Sequence, residues 1–234
     1  MDLSTLATAV QQRRLALPAH RSALVGISGV DGAGKGFVAA RLGAELERIG
    51  LRLALLNVDG WLNLPSTRFS RLNPAEHFYM HALRLDAMFT DLVLPLCCRR
   101  AHRLVAPFAE ETATTYREHV YDFHDIDVVL LEGIFIFKRA YRAHFDLAVW
   151  IDCTFETALE RALERAQERL PPAETRAAYE TVYFPAQRLH FERDHPREAA
   201  DLTIPNDRRL GHMEPSRLKM LTVSAQRPAQ QLGQ

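Results

Sequence analysis

Short apolar runs alternate along this chain with segments of helical periodicity. The runs cover residues 23–27, 51–58, 126–131 and 145–151, and a shorter and less apolar one covers residues 201–205. Runs of this length are typical of strands in a parallel sheet that is covered on both faces. Apolar residues three and four positions apart predict helices over residues 3–15, 35–49, 74–94, 154–170 and 173–193. This alternation of strands and helices predicts an α/β fold.

The length of the chain and the end of its periodic pattern predict a single domain. The chain has 234 residues, which lies within the usual range for one domain. We expect the domain to cover residues 1–210 and to begin with an N-terminal helix within about residues 1–20, where Pro18 ends the helical pattern. Residues 211–234 are rich in Gln, Pro and Arg and lack periodic apolar positions, so they should form a loose C-terminal tail.

Charge and cysteine content argue against several classes of partner. The 29 basic and 29 acidic side chains give a formal net charge of zero, so no overall field attracts nucleic acid or an anionic membrane. Cys97, Cys98 and Cys153 fit neither a disulfide framework nor a zinc site. The first 20 residues lack the apolar segment of a signal peptide, and no apolar stretch has the length of a membrane span. The sequence therefore predicts a cytoplasmic protein without a nucleic-acid or membrane partner.

A glycine-rich segment joins the first predicted strand to the helix that follows it. Glycines allow backbone conformations that turn several N–H groups onto phosphate oxygens, and the helix N-terminus adds partial positive charge. Lys35 is placed to reach the β- and γ-phosphates of ATP. The alternative is a glycine-rich turn whose lysine is solvated. The candidate nucleotide-binding residues are Gly29, Asp31, Gly32, Ala33, Gly34, Lys35 and Gly36.

Gly36 departs from the usual form of this motif. A Ser or Thr normally stands at this position and places its hydroxyl group on Mg²⁺. Because Mg²⁺ keeps several waters and needs few protein ligands, we expect water and nearby carboxylates to complete its shell in place of the missing hydroxyl group. The alternative is a chain that binds nucleotide and catalyses poorly.

Two predicted strands end in a carboxylate, Asp59 after the second strand and Glu132 after the third. The carboxyl ends of parallel strands meet at the edge of the sheet where ligands bind. Asp59 is a candidate to accept the proton of an attacking hydroxyl group. Glu132, together with Asp59, is the candidate for the metal side of the site. For both residues the alternative is a turn without chemistry, since Gly60 and Gly133 follow them.

Three arginines, Arg161, Arg165 and Arg169, recur every four residues and share one face of a predicted helix. Their guanidinium groups would suit a polyphosphate, because they neutralise charge that develops on it during transfer. Glutamates interleave with them, so the alternative is a solvated surface helix.

The order of these motifs resembles that of uridine kinases and the related phosphoribulokinase and pantothenate kinase group. The resemblance spans about residues 22–207 and is carried by residues 29–35, 58–61, 78–95, 128–134 and 200–205, with the helix around Arg165. It implies a nucleoside/nucleotide kinase-like P-loop NTPase fold, a three-layer sandwich with a mainly parallel central sheet and a helical lid at about residues 161–175. It also implies ATP and Mg²⁺ as cofactors.

By this resemblance, the chain is expected to transfer the γ-phosphoryl group of ATP to a hydroxyl group of a nucleoside such as uridine or cytidine, with Lys35, Asp59 and Arg165 as catalytic residues. Gly60 and Trp61 replace the aromatic-containing sequence that follows the aspartate in the family, so pantothenate, glycerate or a sugar phosphate is an alternative acceptor. A nucleotide-binding module with little or no transferase activity is the alternative from another class. The sequence leaves open whether the chain forms a homo-oligomer.

Overall fold

A five-stranded parallel sheet forms the centre of the molecule. The computed structural model describes residues 3–166 and 170–210. The described strands are β1 (Ala23–Gly29), β2 (Leu53–Asn57), β3 (His102–Phe108), β4 (Arg117–Phe123), β5 (Val128–Glu132), β6 (Leu147–Asp152) and β7 (Leu202–Pro205). In the central sheet they lie side by side in the order β2-β5-β1-β6-β7, and every neighbouring pair is parallel.

The three middle strands of the sheet are buried along their whole length. Every residue of β1, β5 and β6 is buried, which explains why these strands appear in the sequence as continuous apolar runs. In the register of the sheet, Ile27 of β1 lies opposite Glu132 of β5 on one side and Val149 of β6 on the other. The loop that follows β1 therefore begins beside the carboxylate that ends β5.

Helices flank the sheet and complete a three-layer α/β fold. The described α-helices are α1 (Leu3–Leu15), α2 (Lys35–Arg48), α3 (Pro65–Arg68), α4 (Pro74–His81), α5 (Leu85–Ala87), α6 (Leu94–Arg99), α7 (Phe155–Arg165), α8 (Pro172–Ala178), α9 (Phe184–Asp194) and α10 (Pro196–Ala199). α1 and α2 pack on each other and against β1, and α6 packs against β5. Turns of π-helix over Met88–Val93 and Tyr179–Tyr183 join α5 to α6 and α8 to α9.

The five predicted strands are confirmed, but two helix predictions are wrong in extent. The helix predicted over residues 74–94 is interrupted at residues 82–84, where the backbone pairs with residues 61–63 instead: Asn63 donates its N–H to the carbonyl of Ala82, and Arg84 donates to Trp61. Local periodicity does not reveal this pairing because its partner lies about 20 residues away.

The helix predicted over residues 154–170 is shorter than expected. It begins as predicted, since Thr154 caps α7 by accepting a hydrogen bond from the N–H of Thr157. It ends at Arg165, and Ala166 adopts a left-handed conformation with φ of 48°. The N-terminal helix, predicted over residues 3–15, is present over those residues as α1.

An antiparallel hairpin, β3–β4, was not predicted. It projects beside the carboxyl end of β2, where an added Cβ on Gly60 would approach the ring of Phe108 to 2.8 Å. One face of the hairpin carries paired residues such as Leu104 and Tyr121, and the other carries half-exposed Val105 and Val120. Its strands alternate between these faces and are rich in charged residues, so they lack the continuous apolar run of the central strands.

The structure also bears on the membrane and tail predictions. No described helix has the length and apolar character that a membrane crossing requires. The predicted tail, residues 211–234, lies outside the described residues, as do residues 167–169 of the predicted lid.

Candidate active site

The loop between β1 and α2 has a backbone that glycine alone adopts readily. Gly32 and Gly34 have φ angles of 79° and 90°, in the left-handed region. A Cβ on Gly32 would collide with the carbonyl oxygen of Ala158 in α7, so the loop packs directly on that helix. No described side chain caps the N-terminus of α2, which leaves backbone N–H groups available to an anionic ligand.

The side chain of Lys35 lies under this loop. It is buried, and its Nζ donates a hydrogen bond to the carbonyl oxygen of Val30 at 3.1 Å. The ammonium group is therefore held against the loop backbone, and it lines the cleft above.

That cleft has a volume of about 420 Å³. Its lining includes four residues assigned above to catalysis or metal binding: Lys35, Asp59, Glu132 and Arg165. They come from α2, from the turn after β2, from the end of β5 and from α7, so only the fold brings them together. Asp31, Gly32, Gly34 and Gly36 of the predicted phosphate loop also line the cleft.

Gly29 and Ala33 do not line the cleft. An added Cβ on Gly29 would approach the carbonyl oxygen of Ile151 to 2.6 Å, so this glycine allows β1 and β6 to pack closely at their ends. Ala33 is fully buried, and its carbonyl oxygen accepts a hydrogen bond from the Nδ2 of Asn206 at 2.8 Å. These two positions support the loop from behind.

Three partners surround the carboxylate of Asp31. Its carboxylate accepts hydrogen bonds from the hydroxyl of Tyr179 and from the N–H of Gly32, and it lies 3.5 Å from a guanidinium nitrogen of Arg165. Burial opposes ionisation, but the charges of Lys35 and Arg165 and the two hydrogen bonds outweigh it and hold the pKa of Asp31 below its usual value. Asp31 therefore stays ionised and carries a fixed negative charge in the phosphate loop.

Asp59 and Glu132 have the opposite electrostatic character. Asp59 lies on a 3₁₀ turn, Val58–Gly60, and faces the open cleft; the surrounding walls and the charge of Asp31 raise its pKa. Glu132 is 7% exposed, and burial, aided by the negative charges of Asp59 and Asp31, raises its pKa to about 7 despite the attraction of Lys35. An added positive charge would stabilise both carboxylates in their ionised form.

A magnesium ion fits this set of donors. Among the described residues there is no cluster of three or more His, Cys, Asp or Glu side chains that would hold a metal ion by itself. Mg²⁺, however, commonly uses one or two carboxylates with phosphate oxygens and water. A Cβ at position 36 would lie 3.5 Å from Oε1 of Glu132, so this carboxylate stands next to the position where the missing hydroxyl group would be. Glu132 and Asp59 are the residues that would hold the ion.

The predicted arginine stripe does not act as one surface. Arg161 lies behind the phosphate loop, where it donates to the carbonyl oxygens of Asn206 at 2.8 Å and of Ala33 at 3.3 Å. Arg165 reaches the cleft and pairs with Asp31. Arg169 lies outside the described residues. Helical spacing placed these arginines on one face, but the loop packs so closely on α7 that consecutive turns meet different parts of it.

A second cavity of about 470 Å³ adjoins the cleft and shares Asn57, Asp59 and Glu111 with it. The unpredicted hairpin and its loop supply most of its walls. The aromatic residues that line it are Phe108, His119, Tyr121 and Phe123. Aromatic residues at every second position from 119 to 123 are a strand signal that could have revealed this wall.

Gln187 of α9 is a further residue that the sequence did not reveal. It is 3% exposed, and its Oε1 accepts the N–H of Asp31 at 3.1 Å. Its Nε2 has no hydrogen-bond partner within the described part of the chain, and the residue lines the cleft. Nothing in the local sequence marks this glutamine, because its role depends on a contact with a loop 156 residues away.

Comparisons with known proteins identify the fold. No protein-family model and no curated protein matches the chain. A structure described as a possible uridine kinase from Bacillus stearothermophilus is 20% identical, with a TM-score of 0.67 over 86% of this chain and 96% of that chain. A proposed fructose transport system kinase from Silicibacter sp. TM1040 is also 20% identical, with a TM-score of 0.64 over 88% of this chain and 100% of that chain. D-glycerate 3-kinase from Cryptococcus neoformans is 14% identical, with a TM-score of 0.60 over 82% of this chain and 88% of that chain. The chain therefore has the three-layer α/β fold of P-loop kinases.

Proposed function

We propose that this protein is an ATP-dependent phosphotransferase that acts on a hydroxyl group of a small molecule, with a nucleoside such as uridine or cytidine as its acceptor. The observation that carries the proposal is the position of Asp59. It stands where the phosphate-loop cleft meets the cavity under the hairpin, between a site for the donor phosphates and a site for the acceptor.

The reaction follows from this arrangement. The acceptor oxygen bonds to the γ-phosphorus of ATP, the bond from that phosphorus to the bridging oxygen breaks, and ADP leaves. Asp59 takes the hydroxyl proton. The loop N–H groups and Lys35 hold the donor phosphates, and Arg165 neutralises charge on the group in transit.

Mg²⁺, held by Glu132 and Asp59 with water, would neutralise phosphate charge when bound. Arg165 is paired with Asp31 in the structure. ATP phosphates offer it a stronger anionic partner than one carboxylate, so it should exchange partners when the nucleotide binds.

Two features support a nucleoside as the acceptor. One is the resemblance of the motifs to uridine kinases. The other is the aromatic lining of the second cavity by His119, Tyr121 and two phenylalanines, since a base gains about 1–3 kcal/mol by stacking on an aromatic side chain. The lid around Arg165 and a cytoplasmic location belong to the same proposal.

The test is ADP production with ATP and Mg²⁺ in the presence and absence of uridine and cytidine. We expect both nucleosides to stimulate it. Asp59→Asn should lower turnover by about 10²–10⁴-fold while leaving the Kd for ATP nearly unchanged. Asp122→Asn, an exposed position on the outer side of the hairpin, is the matched control and should behave like the wild type. Unchanged turnover in Asp59→Asn would refute the assigned base, and ATP binding without stimulation by any alcohol would favour a nucleotide-binding module.

A further inference from the structure

We infer that the acceptor site discriminates by charge: it accepts uncharged or positively charged alcohols and rejects those that carry a carboxylate or a phosphate. The inference rests on the proposed phosphotransferase reaction, but not on the acceptor being a nucleoside. It separates this chain from kinases whose acceptors are anionic, such as glycerate, pantothenate or sugar phosphates.

The lining of the second cavity is negative. Its described lining residues include three carboxylates, Asp59, Glu110 and Glu111, and no lysine or arginine. The cations of the neighbouring cleft serve the donor side: Lys35 lies on the phosphate loop, and Arg165 is paired with the carboxylate of that loop.

Two arginines near this wall, Arg68 and Arg117, are paired with its glutamates. The side chain of Arg68 is 2% exposed, and one of its guanidinium nitrogens lies 2.9 Å from Oε1 of Glu111. Arg68 does not line either cavity, so the acceptor meets the carboxylate and not the guanidinium group behind it. Arg117 pairs with Glu110 at 3.1 Å, but both side chains are more than half exposed, so solvent weakens that pair.

An anionic acceptor would therefore meet like charges as it loses water. A carboxylate or phosphate that enters a partly enclosed space without a cationic partner gives up hydration and gains no compensating interaction. An uncharged alcohol avoids this cost. An alcohol that carries a protonated amine is attracted by the carboxylates of the cavity. A site that lacks a cation and presents carboxylates thus selects its substrate by repulsion as much as by contact.

Pairs of related acceptors, one uncharged and one anionic, test the inference directly. The pairs are pantothenol and pantothenate, glycerol and glycerate, ribose and ribose 5-phosphate, and uridine and orotidine. We expect the uncharged member of any pair that is turned over to have a kcat/KM at least about tenfold higher, which corresponds to about 1.4 kcal/mol. The preference should shrink in 0.5 M salt, because salt screens the charges of a cavity that is open to solvent.

Variants that remove one carboxylate charge show which residues cause the preference for uncharged acceptors. Glu111→Gln leaves Arg68 without its counter-charge, and Glu110→Gln removes an exposed charge with little risk to folding. Each variant should lower the ratio of kcat/KM between the uncharged and the anionic member of a pair by about threefold or more. Glu118→Gln, an exposed residue on the outer face of the hairpin, is the control and should keep the wild-type ratio. Anionic members that are turned over as well as uncharged ones would overturn the inference, as would an unchanged ratio in both variants.

Acceptor binding, measured by calorimetry on protein saturated with a non-hydrolysable ATP analogue, separates this inference from the proposed function. If uncharged members bind and anionic members do not, but no acceptor yields ADP, the proposed reaction fails and the charge selection stands. If anionic members bind equally well, or if no member of any pair binds, the inference is wrong.

Discussion

Removal of the charge of Glu132 should stabilise the protein at alkaline pH. Glu132 is the last residue of the inner strand β5 and is only 7% exposed. Its burial, with the negative charges of Asp59 and Asp31 nearby, raises its pKa from 4.5 to about 7. The folded protein therefore holds an ionised carboxylate that would be better solvated in the unfolded chain. Glu132→Gln keeps the shape of the side chain and removes that charge.

The size and pH range of the effect follow from this pKa. Each unit of pKa shift corresponds to about 1.36 kcal/mol, so the shift from 4.5 to about 7 costs the folded state about 3 kcal/mol once the group is ionised. Because the folded-state pKa of an acid is raised, the cost is small below pH 4.5, grows between pH 4.5 and 7, and is complete above pH 7. The variant should gain stability only where the wild type carries this cost.

Thermal unfolding without nucleotide, in EDTA, measures the difference. A change of 1 kcal/mol moves the Tm of a domain of this size by about 2–4 °C, so Glu132→Gln should raise the Tm at pH 8 by about 6–12 °C and change it little at pH 4.5. Glu174→Gln, at an exposed position, is the control and should change neither value. An equal gain at both pH values, or a loss at pH 8, would refute the reasoning.

The other predictions concern the phosphate loop and a buried aspartate at the end of α9. Gly36→Ser has room for its Cβ, 3.5 Å from Oε1 of Glu132, and should supply the missing Mg²⁺ ligand; a lower Mg²⁺ concentration should then give half-maximal ATP binding, and no change would argue against a metal at this position. Asn206→Ala removes the 2.8 Å hydrogen bond to the carbonyl oxygen of Ala33, worth about 1 kcal/mol, and should raise the KM for ATP about fivefold with little change in kcat; a fall in kcat alone would contradict a positioning role. The pKa of Asp194 is lowered to about 2 because hydrogen bonds to its carboxylate outweigh its burial, so wild-type stability should fall as the pH drops from about 4 to 2. Asp194→Asn should flatten that acid limb in urea titrations, and an unchanged limb would show that this group does not control it.

The elements that sequence analysis predicted well are those whose environment is uniform. β1, β5 and β6 are buried on both faces. Apart from the carboxylates that end two of them, Glu132 and Asp152, their residues are apolar or small, so the runs were recognisable. The phosphate loop was recognisable for a similar reason. Its backbone requires conformations that favour glycine, such as the φ of 90° at Gly34. Such local requirements restrict the residue type at each position, so they can be recognised in the sequence.

The hairpin and the supports of the loop were missed because they depend on distant partners. Asn206 contacts Ala33 across 173 positions, and Tyr179 contacts Asp31 across 148. The alternating strands of the hairpin have one face on the second cavity and the other in solvent, so their pattern is mixed. No local pattern records which partner a side chain will find.

The sequence therefore revealed which types of residue form the candidate site, but not their pKa values, their ion pairs or the charge of their surroundings. A lysine in a glycine loop and two carboxylates at strand ends predicted a phosphate site at one edge of a parallel sheet, because strand direction and loop geometry are local consequences of residue type. The raised pKa of Glu132, the pairing of Arg165 with Asp31 and the negative wall beside Asp59 were decided by the tertiary structure. Burial and the distance between charges set these properties, and both exist only once the chain has folded.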